Sequence, residues 1–136
     1  MIAKIDSLGA RLRLWYRQVE GQKSRQAMIT QKILAPDRVR KITGGFSFIP
    51  HRFLTGGFLE HLSPPELLLY LFLVLAADRR GLSYCSYERI CALLHLRLEQ
   101  YVAAQDGLIQ KELIAFGGTL FQVLELPAAP IAGERA

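Results

Sequence analysis

The apolar positions of this chain change period along its length, and the changes divide it. From Met1 to about Glu20 they fall at Met1, Ile5, Leu8, Leu12, Trp15 and Val19, in alternating steps of four and three. That spacing predicts a helix with a narrow apolar seam. Lys4, Arg11, Arg13 and Arg17 fall off the seam. Two readings stand for it: a helix packed on its own domain, or one that pairs with a twin or a partner through Ile5, Leu8, Leu12, Trp15 and Val19. A basic amphipathic helix also suits a membrane surface, but Gly9 interrupts this one. Gly21-Gln22-Lys23 breaks the pattern. Ser24 is placed to cap a second helix reaching about Leu34, with Met28, Ile29 and Ile33 on its apolar side. Pro36 ends it and biases Ala35 away from helix.

The stretch DRVRKITGG then carries Arg38, Arg40 and Lys41 ahead of Gly44-Gly45. It reads as a solvated linker or as an arm that touches nucleic-acid backbone. The arm is favoured, because Arg52 continues the charge and Asp37 is the only acid close by in sequence. Phe46, Phe48 and Ile49-Pro50 predict a short strand leading into a turn, with Phe53, Leu54, Phe58 and Leu59 packing under the next helix. Ser63-Pro64-Pro65-Glu66 has serine at the cap, proline at the first helical position and glutamate at the third. That is a capping box with a proline start. The helix it opens is apolar nearly all round, Leu67 to Ala77, which predicts a buried central helix. Asp78-Arg79-Arg80-Gly81 is expected to end it, with cations in the last turn and glycine beyond.

From Ser83 onward the order is helix, turn, helix, hairpin. Leu82 to Tyr84 is placed to add a short strand. Ser86 is placed to cap a helix from Tyr87 to Leu94, with Ile90, Leu93 and Leu94 at helical spacing. His95-Leu96-Arg97 forms the turn. Tyr101, Ala104 and Leu108 mark a second helix over about Leu98 to Gln110. After Ile114 the period moves towards two through Phe121, Val123 and Leu126, and Gly117-Gly118 sits where a hairpin turn belongs. This is the layout of a winged helix-turn-helix. The expected fold is mainly α with a small antiparallel β-hairpin. The expected organisation is a basic N-terminal helical extension and arm (1–45), a winged-helix domain (46–127) and a frayed tail (128–136).

Charge sharpens the division. Residues 1–60 hold eleven Lys/Arg against four Asp/Glu, net +7, while residues 61–136 hold six against eight, net −2. The cationic front attracts phosphates or acidic surfaces. With 136 residues, 51% hydrophobic, the chain can bury a core as one domain of ordinary size. Its longest apolar run, Leu67 to Ala77, has eleven residues, against the ~20 that cross a bilayer. The N-terminus has no apolar stretch of the secretory kind, and two cysteines, Cys85 and Cys91, give no disulfide framework. A cytoplasmic protein without membrane contact is expected.

The segments FSFIPHRFL, LSPPELLLYLFLVLAADRRG, SYERICALLHL and LIQKELI together resemble the winged-helix domains of phage replisome-organiser and plasmid replication-initiator proteins. Those domains show an aromatic-Ile-Pro lead, an LSP-x-E-x-x-x-Y helix and a Ser-Tyr-x-x-[IL]-[AC] helix. The resemblance spans about residues 46–126 and implies double-stranded DNA as partner, in replication initiation, transcription control or a mobile element. In that family the second helix of the motif begins with Ser, Thr or Arg and carries several cations, and the second helix of this chain departs from that. It begins Arg97-Leu98-Glu99-Gln100, contains Glu99 and Asp106, and has no further cation until Lys111. Base reading in the major groove uses Arg, Lys, Asn or Gln, which leaves Arg97, Gln100 and Gln105. The wing tip, Gly117-Gly118-Thr119, is uncharged. Either DNA is held largely by the cationic front, or this domain docks on protein within a larger nucleoprotein complex. For the first case the candidate DNA contacts are Arg38, Arg40, Lys41, Arg52, Arg97, Gln100 and Lys111.

Chemistry of other kinds finds no support. Cys91 and His95 are four apart with Cys85 near, but the spacing matches no standard zinc site. His51 and His61 are isolated, Asp78 and Glu88 form no acid/base pair, and no phosphate-cradling glycine motif occurs. Ser83 and Ser86 lack a His/Asp arrangement. No enzymatic activity, metal or cofactor is expected.

Overall fold

The computed structural model describes residues 13–15, 17–18 and 32–132. The chain divides into two units, Met1–Phe46 and Ser47–Ala136. In the first, residues 13–15 and 17–18 are helical, and Leu14 and Trp15 are exposed. Of the expected seam, Met1, Ile5, Leu8, Leu12 and Val19 lie outside the described residues. The second expected helix does not reach Leu34. Lys32, Ile33 and Leu34 are not helical, and residues 24–31 lie outside the described part. Pro36 has no N–H to close a last turn, Ala35 sits at φ −129° and ψ 82°, and no burial of Ile33 or Leu34 offsets that. Pro36–Arg38 forms a single 3-10 turn, closed by the Arg38 N–H on Ala35 O at 3.1 Å. Every residue from 32 to 46 is exposed.

The strand expected at Phe46–Ile49 does not form. Ile49 packs on the core, but Pro50 has no N–H for a ladder. The third place in the sheet goes instead to Leu82–Tyr84. One helical turn, α1 (Arg52–Thr55), is followed by a 3-10 turn at Leu59–His61 and by α2 (Pro64–Ala76). The α2 start is the capping box read from sequence. Ser63 N–H donates to Glu66 Oε1 at 2.8 Å, and Glu66 N–H donates to Ser63 Oγ at 3.4 Å. Its outer surface corrects the expectation of a helix buried all round. Leu69, Tyr70, Leu73 and Val74 are buried, whereas Leu68, Leu71 and Leu75 are exposed. The helix has core on one side only, so its apolar run serves packing on that side alone. Its end is corrected too. Ala76 is the last helical residue, and Arg79 and Arg80 lie in the turn beyond it. There Asp78 Oδ1 accepts the Leu82 and Arg80 N–H groups at 3.0 and 2.8 Å. Those two bonds hold its carboxyl below the usual range.

Strand β1 (Leu82–Tyr84), helices α3 (Tyr87–Leu94) and α4 (Leu98–Gln110), and strands β2 (Ile114–Gly117) and β3 (Leu120–Val123) complete the unit. Ser86 Oγ caps α3 through the Arg89 N–H. His95, left-handed at φ 56°, ends it. The sheet runs β1-β3-β2, antiparallel throughout, with Phe121 opposite Ser83 on one side and Phe116 on the other. Gly118 takes φ 64° at the hairpin, the positive value a two-residue turn needs at its first position. Gly81, at φ 87°, lies so close to β3 that a Cβ would stand 2.4 Å from Val123 O. The core gathers Leu69 and Leu73, Ile90, Tyr101, Ala104 and Leu108, Leu113, Ile114 and Phe121. Phe53 stacks on Tyr70 at 5.1 Å between centroids, which fixes α1 against α2. Burial of this apolar surface is the main stabilising term, and it presents α4 with one side inward and the other open.

Candidate functional site

The inward side of α4 is Tyr101, Ala104 and Leu108. Its outward side follows from the 3.6-residue period. Leu98, Val102 and Ile109 are 54%, 47% and 38% exposed, and they make an apolar stripe. Glu99, Ala103, Asp106 and Gln110, also exposed, run alongside it. This face holds two carboxylates and no cation. Arg97 stands at the helix start, exposed, where the backbone N–H groups favour an anion. Gln100 has a local duty, because its Oε1 accepts the Arg97 N–H at 2.9 Å. That is the return half of a capping box; arginine has no acceptor to make the other half. Only the Gln100 amide N–H groups remain for a ligand.

Two of the candidate cations are engaged within the domain. Arg52 donates to Leu126 O at 2.6 Å and to Pro127 O at 2.7 Å, and its guanidinium lies 5.6 Å from the Phe58 ring centroid. It therefore fastens the chain beyond β3 to α1. Lys111 donates to Glu66 Oε1 and to His61 O, both at 2.7 Å. Glu66 and Lys111 side chains are only 10% and 15% exposed. Gly107 makes room for them, since a Cβ there would lie 1.7 Å from Glu66 Oε2. These two roles were not legible as such, because the partners are 45 to 75 residues away. An unexplained glycine inside the α4 pattern was the one available signal.

Arg38, Arg40 and Lys41 differ. All three are exposed, and their side chains have no hydrogen bond or ion pair among the described residues. Asp37 is the only acid between residues 32 and 59. These cations belong to the first unit, while Arg52, Arg97, Gln100 and Lys111 belong to the second. Among the described residues, no group of three His, Cys, Asp or Glu could hold a metal ion, and no helix is long and apolar enough to cross a membrane. An open cleft of about 510 Å³ lies beside Glu66, Glu99, Gln100 and Lys111. Its histidine and serine are engaged with backbone: His61 Nδ1–H donates to Gly57 O at 2.6 Å, and Ser63 Oγ takes the Glu66 N–H.

Comparison of the chain with protein-family models, with curated proteins and with solved structures gives no match.

Proposed function

We propose that the chain is a winged helix-turn-helix protein that binds DNA, seated electrostatically by Arg38, Arg40 and Lys41, in replication initiation, transcription control or a mobile element. One observation carries the reading: three neighbouring cations stand in solvent with no internal partner among the described residues and one nearby acid. Unpaired exposed cations are what counterion release requires. On the second unit, taken by itself, Arg97 at the start of α4 offers a phosphate contact and the Gln100 amide limited base contact. Arg52 and Lys111 serve the fold first. The test is fluorescence anisotropy with a 20-base-pair duplex. Arg38→Glu with Arg40→Glu weakens every sequence about equally and lowers the salt slope by about one for each arginine that no longer meets a phosphate. Unchanged affinity in that variant would remove the basis of the proposal.

The outward face of α4 favours a second reading, docking on protein. Leu98, Val102 and Ile109 beside Glu99 and Asp106 suit an apolar, cationic partner surface better than phosphate. Glu99→Gln with Asp106→Asn separates the two. If α4 faces DNA, removing two like charges tightens binding; if it faces protein, DNA affinity stays the same.

A further inference from the structure

The seven phenylalanines of the chain fall into two groups. Phe53, Phe58 and Phe121 are buried, Phe72 is half-buried and packs on the core, and Phe116 is 41% exposed beside Phe121. Phe46 and Phe48 are 69% and 75% exposed. Nothing in the sequence forces that difference, because the aromatic content alone would let all of them enter the core. The two open rings follow directly on Arg38, Arg40 and Lys41, with Val39 and Ile42 also exposed between and after the cations. Gly44, at φ 71°, and Gly45 separate charge from rings, and a Cβ at either would meet nothing within 4 Å. Burial then alternates: Phe46 out, Ser47 half in, Phe48 out, Ile49 half in. That is the period of an extended run presenting alternate side chains to solvent.

We propose that this segment of the first unit binds single-stranded nucleic acid, with phosphates on Arg38, Arg40 and Lys41 and a base stacked on Phe46. The inference rests on the nucleic-acid reading above and names its ligand class. A cationic track with an adjoining open aromatic face is the combination that holds unpaired strands, since every base has a face to stack. A duplex hides those faces within its own stack. Reading a duplex groove calls for a helix or strand carrying donors and acceptors, and residues 39–49 form neither.

The test uses the full chain and fluorescein-labelled dT20, rU20 and a 20-base-pair duplex, followed by anisotropy at one salt concentration. Both single strands bind more tightly than the duplex, and the tighter of the two identifies the strand as DNA or RNA. Phe46→Ala weakens dT20 about 5- to 140-fold, the range of about 1–3 kcal/mol that loss of one stacked base gives. Phe46→Tyr retains affinity, Phe46→Leu does not, and the duplex is indifferent to all of them. An abasic 20-mer binds the wild type and Phe46→Ala equally. The ring is exposed, so an unchanged melting temperature certifies the fold. Duplex binding equal to or tighter than dT20, or a Phe46→Ala variant that leaves dT20 affinity unchanged, overturns this inference and leaves the nucleic-acid reading standing. Absence of binding to all three probes overturns both.

Discussion

Gly107→Ala should destabilise this protein, against the ordinary effect of that substitution. Inside a helix alanine is about 1 kcal/mol better than glycine, and Gly107 lies within α4. Here the new Cβ would stand 1.7 Å from Glu66 Oε2 and 2.9 Å from Glu66 Cδ. The carboxylate has to swing away, and its other oxygen holds both the Ser63 N–H and the Lys111 ammonium. Loss of the α2 cap costs about 1 kcal/mol. Parting a fully buried ion pair costs about 3–5 kcal/mol; this pair keeps some solvent, and freed Glu66 reaches water, so about 1–2 kcal/mol is the expected share. Set against the propensity gain, the net loss is about 1–2 kcal/mol. For a domain of this size that is a melting temperature lower by about 5–15 °C. Urea titration followed by circular dichroism measures it. In a Glu66→Ala background the obstacle is gone, and Gly107→Ala should then stabilise by about 1 kcal/mol. The same sign in both backgrounds, or stabilisation of the wild type, would refute the reasoning.

Other outcomes follow from the same structure. Arg52→Lys should lose the paired hydrogen bonds to Leu126 O and Pro127 O, because an ammonium lacks the planar fork. Limited proteolysis should then cut sooner near residue 127, with stability lower by about 1–2 kcal/mol. Phe121→Ala, at the centre of the sheet and fully buried, should cost about 3–5 kcal/mol in the same urea assay. Burial raises the Tyr70 phenol above 10.0, and burial, then Cys91 and Cys85, raise that of Tyr101. The unfolded chain therefore releases these protons first. Stability is full below about pH 10 and is lost as pH climbs through the folded-state values. Tyr101→Phe should flatten that loss in urea midpoints taken at successively higher pH above 10.0.

Local signals carried much of the second unit. The Ser63 to Glu66 box, the Ser86 cap, the His95-Leu96-Arg97 turn and the bounds of α4 all depend on residues a few positions apart, and the structure has them where the sequence puts them. The hairpin and the short strand at Leu82–Tyr84 were legible for the same reason. What failed was long-range or environmental. An apolar run cannot tell one buried side from two, so the open leucines of α2 left no mark in the pattern. Alternation over four residues before Pro50 resembled a strand, but the sheet already had its partners. Lys111 and Arg52 read as surface cations, because nothing local records a carboxylate or a carbonyl brought in from far along the chain. The openness of Phe46 and Phe48 also comes only from the fold.

The central claim is that the open cations of residues 38–41 hold a polyanion, and salt tests it most directly. Affinity for dT20 measured from about 50 to 300 mM NaCl should fall linearly on logarithmic axes. Three phosphate contacts at about 0.7 each predict a slope near −2, and Arg38→Glu with Arg40→Glu should bring it close to −1 or weaker. A wild-type slope indistinguishable from zero, or one that the double charge reversal leaves unchanged, would contradict the account.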